Sequence, residues 1–474
     1  MTSLTLKTLD AGQRTIGNGA VDALRNGMNG AVLLPGDAGY DDARTVWNAT
    51  VDKRPGAVVR CATAADVAGA VGFAAEHRLL LAIKGGGHNI AGNAVCDGGL
   101  VLDLSPMKDV EVDPDARTAR VQAGALLADV DAATQAHGLA VPFGINSTTG
   151  VAGLTLGGGY GWLSRKHGLT VDSLVGANIV TPDGQRRRAS AAENPELFWA
   201  IRGGGGNFGV VTSFDFKLHE VGPEVLSGLV VHPIAAAPDL LREYRRLAAA
   251  MPDELTVWVV MRKAPPLPFL PEEWHGREVL VFAACYAGDM AEGEQALAPL
   301  RALGKPIADV IGPHAYAGWQ QAFDPLLTPG ARNYWKSHNF EAIEDGLVDL
   351  LTEAVGRLPT PECEIFIAQL GGATRRTDPA ATAFAHRGAS YLMNVHTRWQ
   401  EPAQDTHCIA WARELFDRTA RFATGGVYVN FMPEDETGRV KGAFGSSYDR
   451  LARIKADVDP GNLLRMNMNI RPAA

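Results

Sequence analysis

The sequence predicts an α+β protein in which a region of antiparallel strands and amphipathic helices is inserted into a glycine-rich domain. Three observations carry this. The chain has 474 residues, more than one hydrophobic core usually serves, so two domains, or one domain interrupted by another, are expected. It holds 53 glycines, roughly 11% where about 7% is average, and they cluster in three places within the first half. From about residue 220 to 425 the clusters stop, and strand-length apolar runs alternate with helical ones.

Composition narrows the field. Hydrophobic residues at 46% and charged residues at 20% suit a folded globular chain. The 44 Lys+Arg against 53 Asp+Glu give a net charge of -9, with no basic block beyond Arg186, Arg187 and Arg188. No nucleic-acid or anionic-membrane partner is expected. Cys61, Cys96, Cys285, Cys363 and Cys408 are odd in number and lack a C-x-x-C pair, which suits a reducing compartment. Residues 1–8 carry no basic region followed by an apolar core, and no apolar run reaches about 18 residues. A cytoplasmic protein with no membrane span is expected. The P-loop, the G-x-S-x-G elbow and the H-E-x-x-H zinc helix are all missing, and no metal is expected. His77, His137, His167 and His219 read as surface or satisfied core residues.

In chain order, residues 62–77 have helical spacing with a polar start, 79–83 are a strand-length run, and 99–104 are another. Between the two strands lies Lys84-Gly85-Gly86-Gly87-His88-Asn89-Ile90-Ala91-Gly92. Three successive glycines let backbone N–H groups converge as a nest for phosphate oxygens, and they equally suit a tight turn. The second cluster, Gly144 to Gly161, has seven glycines in eighteen residues. It reads as too irregular for a helix or strand face and as backbone brought close to a large flat or polyanionic ligand. In the third, Gly204, Gly206 and Gly209 satisfy G-x-G-x-x-G. The following Val210 to Leu218 is strand material, whereas a Rossmann fingerprint must open a helix, so that reading is rejected.

In the middle region, 226–231, 255–261, 279–286 and 364–369 read as strands, and 237–250, 289–303, 341–357 and 404–421 as helices. The proline-rich 264–271 marks an irregular loop. Strand 391–399 puts Asn394, His396 and Arg398 on one face, which either lines a site, with His396 as a base, or meets solvent. Residues 334–338 and Tyr428 are further candidates, with an aromatic core as their alternative.

Together, residues 84–92, 144–161 and 197–212, with Tyr428 to Phe431, Tyr448 to Leu451 and Ile454 to Leu464, resemble the vanillyl-alcohol oxidase superfamily, in its branch of berberine-bridge-enzyme-like oxidases. The resemblance brackets nearly the whole chain. It implies a PCMH-type FAD-binding domain of two α+β subdomains over 1–219, a substrate-binding domain over 220–424, and a C-terminal segment, 425–474, returning to the first. It implies FAD held by Gly85, Gly86, Gly87, His88, Asn89, Ile90 and Gly92. Asn146, Thr148, Thr149, Gly150, Gly153, Leu154, Gly158, Tyr160 and Gly161 of the second cluster join them, as do Gly209, Val210, Val211, Asn430, Asn467 and Asn469. It further implies a bond from His88 to the 8α-methyl carbon of FAD; read alone, His88 could merely cap its loop.

Two departures from the family pattern bear on chemistry. Bicovalent members carry a Cys where this chain has Asn146, so a single link is expected. Thr149 occupies a position where a small residue admits O2, so oxygen access is expected. Many members end a Tyr-x-Asn-Tyr motif with a catalytic phenol, and here that residue is Phe431, which can neither take nor give a proton. His396, Tyr428 and Thr149 are therefore the candidate catalytic residues. The expected activity is an FAD-dependent oxidase that takes hydride from a C–H bond of a small organic substrate and reduces O2 to H2O2. The alternative is a flavin-dependent monooxygenase of secondary metabolism using a flavin-oxygen adduct, and a third reading is a flavin-free binding protein. A homodimer is carried as an open expectation.

Overall fold

The computed structural model describes residues 3–474. Its first layer is built on a four-stranded sheet in the order Ala31–Leu33, Ala57–Arg60, Leu100–Asp103, Leu81–Lys84. The last three strands run parallel, with Ala31–Leu33 antiparallel at the edge. Helix Ala64–Glu76 supplies the crossover that a parallel pair needs. Thr63 and Asp66 form a capping box at its start, and Asp66 also accepts the N–H groups of Asn29 and Gly30 at 2.8 and 3.1 Å. The helix–strand–glycine loop–strand order expected from the sequence is thus present.

A second sheet of five antiparallel strands follows, in the order Arg186–Ser190, Leu174–Val180, Val210–Lys217, Thr118–Gln122, Val110–Asp113. The third glycine cluster makes one short 3-10 turn, Gly205–Asn207, and then enters the central strand Val210–Lys217. No helix opens there, in keeping with the rejected Rossmann reading. The second cluster differs from expectation, because Val151–Leu156 is an α-helix. Its Gly150 N-cap and Gly157 C-cap stop it after six residues, too short for an apolar periodicity to register.

The middle of the chain forms an antiparallel sheet in the order Ala308–Asp309, Glu224–Pro233, Glu278–Tyr286, Leu255–Lys263, Glu364–Gln369, Tyr391–Trp399, Arg332–Phe340, with Gly312–Ala315 also on Glu224–Pro233. Helices Ala237–Ala248, Met290–Arg301, Asp345–Val355 and Asp405–Thr419 cover one face, burying Leu241, Leu297, Leu351 and Trp411. The opposite face buries Trp258, Ala283, Ala368 and Leu392 against Tyr160, Trp162 and Leu163 of the glycine-rich part. Both faces are therefore covered, and all nine residues of Tyr391–Trp399 are buried. The solvent-facing alternative for Asn394, His396 and Arg398 is overturned: polarity on this strand separates a cleft from a helix layer, not core from water.

Buried polar clasps fix the two parts against each other. The Arg165 guanidinium donates to the carbonyls of Leu255 and Leu370, each at 2.8 Å, and of Met251 and Pro252 at 3.1 and 3.3 Å. Asn48 exchanges hydrogen bonds with the backbone of Asn333 at 2.9 and 3.0 Å. The C-terminal helix Tyr448–Val458 returns to the first part through Lys455. Its fully buried ammonium donates to Asp459 Oδ2 at 2.6 Å and to the carbonyls of Asn207 and Leu464 at 2.7 and 3.0 Å.

Candidate active site

A single cleft runs between the glycine loops and the second face of the large sheet. Of the residues singled out from sequence, Gly85, Gly86, Gly87, His88, Asn89, Asn146, Thr149, Gly150, Gly153, Leu154, Tyr160, Gly209, Val210, Val211, His396, Tyr428, Asn430 and Asn467 line it. Ile90, Gly92, Thr148, Gly158, Gly161 and Asn469 do not. Some of these six support the walls instead. The Ile90 and Gly92 carbonyls accept from Asn48 and Lys53, and Thr148 reaches His88.

The glycine wall is shaped by close backbone approach. A Cβ on Gly86 would lie 2.4 Å from Gly150 N, and one on Gly150 would lie 2.3 Å from Gly86 N. The first two loops thus press backbone to backbone, which only glycine permits. Gly153 and Gly206 also line the cleft, yet a Cβ on either would meet no protein atom within 4 Å. The side-chain oxygen of Asn467, which lines the cleft, is buried without a partner among the described residues. Bare backbone facing open space, with an unpaired polar atom beside it, fits a large cofactor rich in hydrogen-bonding groups.

His88 closes the first loop. Its ring stacks on Trp47, centroids 4.9 Å apart, and burial pushes its basicity down to about 3, so the imidazole is neutral. Its Nε2 lies 2.9 Å from Thr148 Oγ1. Asn146 Oδ1 accepts both the Thr148 N–H and the Thr148 hydroxyl, at 3.1 and 2.7 Å. With its proton given to Asn146, the Thr148 hydroxyl accepts from His88 Nε2–H. That tautomer leaves the lone pair on His88 Nδ1.

From the C-terminal segment, the Tyr428 hydroxyl accepts from Gly159 N–H at 3.1 Å and from Asn430 Nδ2 at 2.9 Å. Burial raises this phenol to about 12 despite the two donors. Phe431 sits in an aromatic box, its ring centroid 5.0 Å from Tyr428, 5.2 Å from Trp335 and 6.0 Å from both Tyr160 and Phe366. Of 334–338, Trp335 faces the cleft. The Tyr334 hydroxyl instead donates to Asp435, and His338 stacks on Phe416 of the helix layer.

Across the sheet wall runs a charged row that neighbouring strands align by register: Arg262 opposite Glu364, Glu364 opposite His396, and His396 opposite Trp335. Arg262 Nη1 lies 2.7 Å from Glu364 Oε2, and His396 Nδ1 lies 3.3 Å from Glu364 Oε1. Burial alone would raise the Glu364 carboxyl, but the Arg262 charge and the His396 contact hold it below its ordinary value. His396 Nε2 points at Asn333 Oδ1 at 3.3 Å. Asn333 is oriented by its own Nδ2–H to the Ala331 carbonyl at 2.8 Å. Both ring nitrogens of His396 therefore face acceptors.

Sequence reading missed Trp47, Arg262, Glu364 and Gly206 as part of this cleft. Glu364 begins a strand already recognised and Arg262 directly follows the strand read as 255–261, which the structure extends to Lys263, and alternation from Phe366 and Val260 would have put them on one face. Only the strand order makes them neighbours. Trp47 carried no signal, since it comes from an irregular segment. His167 and His219, read as surface or satisfied core residues, stack on each other with centroids 4.1 Å apart, outside the cleft.

Glycine loops baring backbone on one wall, facing a sheet that offers aromatic and ionisable side chains, define a flavin-dependent oxidoreductase, and residues 55–190 match the model of an FAD binding domain. Residues 427–471 match the berberine and berberine-like model, and the chain belongs to the berberine-bridge-enzyme-like family of FAD-linked oxidoreductases. An FAD-linked oxidoreductase of Dictyostelium discoideum is 30% identical over 470 residues, covering 98% of this chain and 99% of that one. The chitooligosaccharide oxidase of Gibberella zeae is 28% identical, covering 96% of each chain. The crystal structure of 6-hydroxy-D-nicotine oxidase from Arthrobacter nicotinovorans superposes with a TM-score of 0.85 at 28% identity, covering 94% of this chain and 98% of that one. No helix among the described residues is long and apolar enough to cross a membrane, and no cluster of His, Cys, Asp and Glu among them could hold a metal.

Proposed function

We propose that this enzyme is an oxidase that removes hydride from a C–H bond of a small organic substrate, reduces O2 to H2O2, and holds FAD through a single covalent bond to His88. Bound FAD supplies the hydride acceptor and its reoxidation by oxygen. The observation that carries the reading is His88 itself, a neutral imidazole at the end of a triple-glycine loop, with Nε2 engaged by Thr148 and the Nδ1 lone pair left to form the bond. Asn146 stands where a second, cysteinyl link would form, and its oxygen is occupied by Thr148.

The other residues divide the work. The backbone of Gly85 to Gly87, Gly150, Gly153 and Gly209 to Val211 cradles the cofactor, with Asn89, Leu154, Asn430 and Asn467 completing the walls. Thr149 lines the cleft with a side chain small enough to leave O2 a route. Phe431 provides no proton acceptor, and His396 takes that role, oriented by Glu364 through Nδ1. As a base His396 carries its single proton on Nδ1 toward Glu364, so Nε2 presents a lone pair to the Asn333 oxygen 3.3 Å away, makes no hydrogen bond there, and must turn from it to meet a substrate proton. Tyr428, held by two N–H donors, keeps its own proton to donate into the cleft.

The test is acid precipitation of the purified protein followed by mass spectrometry of the peptide containing residue 88. Yellow colour staying with the pellet and a mass increase on His88 are expected; an unmodified His88 would refute the covalent link. Stoichiometric peroxide per product supports the oxidase. Labelled oxygen appearing in the product would instead support a monooxygenase, the reading that the loss of the phenol at Phe431 favours.

A further inference from the structure

Resting on the flavoenzyme reading above, the wall that faces the substrate also constrains what the substrate is. Beyond the aromatic box the cleft continues into a wing walled by Leu229, Val231, Val260 and Val281 of three adjacent strands and roofed by Leu267 and Phe269 of the proline-rich loop. The charges that border it, Arg262 and Glu364, are committed to each other at 2.7 Å. The indole N–H groups of Trp258 and Trp335 on this wall are unpaired donors among the described residues, and one amide on it is uncommitted as both donor and acceptor. Asn394 is fully buried, lines the cleft, and has both its amide oxygen and its amide nitrogen without a partner among the described residues. Phe366 lies opposite it in register on the neighbouring strand.

A buried donor or acceptor left unpaired forfeits its hydration with nothing in return. An amide that leaves both its donor and its acceptor unpaired, on a wall whose other unpaired polar groups are only indole donors, is therefore best explained by a ligand that completes both halves. We propose that the substrate is a neutral, flat and largely apolar ring compound that presents one adjacent donor–acceptor edge, of the amide or lactam type, to Asn394. Polyhydroxylated sugars fit poorly. Several hydroxyls would be buried against Leu229, Val231, Val260 and Val281 with nothing to bond, each at a cost comparable to that of the unpaired amide. Ionised substrates fit poorly too, because neither Arg262 nor Glu364 is free to serve as a counter-ion.

The probe is phenanthridin-6(5H)-one, a flat tricyclic lactam, with its N-methyl derivative lacking the donor and cellobiose as the sugar comparison. Each is titrated into the purified protein while the flavin absorption band and the tryptophan fluorescence are recorded, since Trp162, Trp258 and Trp335 line the cleft. The lactam is expected to bind at least tenfold more tightly than its N-methyl derivative, and cellobiose to give no response. Asn394→Leu, nearly isosteric and free of unpaired polar atoms, is expected to fold and to bind the two lactams equally. Equal binding of both lactams to the unaltered protein, no binding, or tighter binding of cellobiose would overturn the proposal, whether or not the variant folds. A colourless protein would instead sink the flavin reading, and the fluorescence titration would still decide the ligand class.

Discussion

Gly206 offers a test of the cofactor wall in which folding and binding separate. Its φ and ψ are -79° and 28°, which alanine adopts without strain. Its Cβ would meet no protein atom within 4 Å and would project from a residue that lines the cleft. Gly206→Ala should thus leave the apoprotein stable to within about 0.5 kcal/mol, as expected for a change that touches no packed group. Against a bound dinucleotide the same methyl overpacks a close contact, at a cost of about 1–3 kcal/mol. At 1.4 kcal/mol per decade this weakens FAD binding about 5- to 140-fold. The measurement is FAD titration of the apoprotein in a His88→Ala background, where binding is reversible, alongside thermal unfolding of each apoprotein. Gly150→Ala is the contrast: its Cβ would lie 2.3 Å from Gly86 N, so both stability and binding should fall. If Gly206→Ala bound FAD as tightly as its parent, the third glycine loop would not face the cofactor.

Three further outcomes follow from the site. Because burial holds His88 near 3, its imidazole stays neutral from pH 8 to pH 5. The yield of covalent flavin on reconstitution should be flat over that range, whereas an ordinary histidine would lose about thirtyfold of its neutral form at pH 5. Glu364 is held below its ordinary value by Arg262, so its charged form contributes above the usual carboxylate range and is lost only as pH falls through the depressed folded value. Glu364→Gln should remove that contribution, leave the partly buried Arg262 without its partner at a cost below the roughly 3–5 kcal/mol of a fully buried pair, and lower kcat; an unchanged pH–rate profile would argue against its orienting His396. Lys455→Met should lower the unfolding temperature sharply by stranding buried Asp459, roughly 3–5 kcal/mol, and should reduce FAD retention because Asn207 and Leu464 lose their common tether.

The local sequence determined the elements and the glycine wall. Helices and strands of the middle region follow from periodicity over ten or so residues, and the three glycine clusters announce close backbone approach because no other residue tolerates it. His88 was singled out only through the family resemblance, since read alone it could merely cap its loop; the structure places it in the wall of the cleft. The short helix Val151–Leu156 was not, since six residues between glycines hold too few turns to reveal a period. The tertiary structure alone decided the opposite wall. Arg262, Glu364, His396 and Asn333 lie on four different strands, and their contact depends on strand order and register, which are set by long-range packing. It also decided that Asn394 and His396 of Tyr391–Trp399 look into the cleft, while Arg398 on the same face turns to Glu362 and Thr328. Alternation along a strand distinguishes two faces, but only the layers packed on the sheet determine what each face meets.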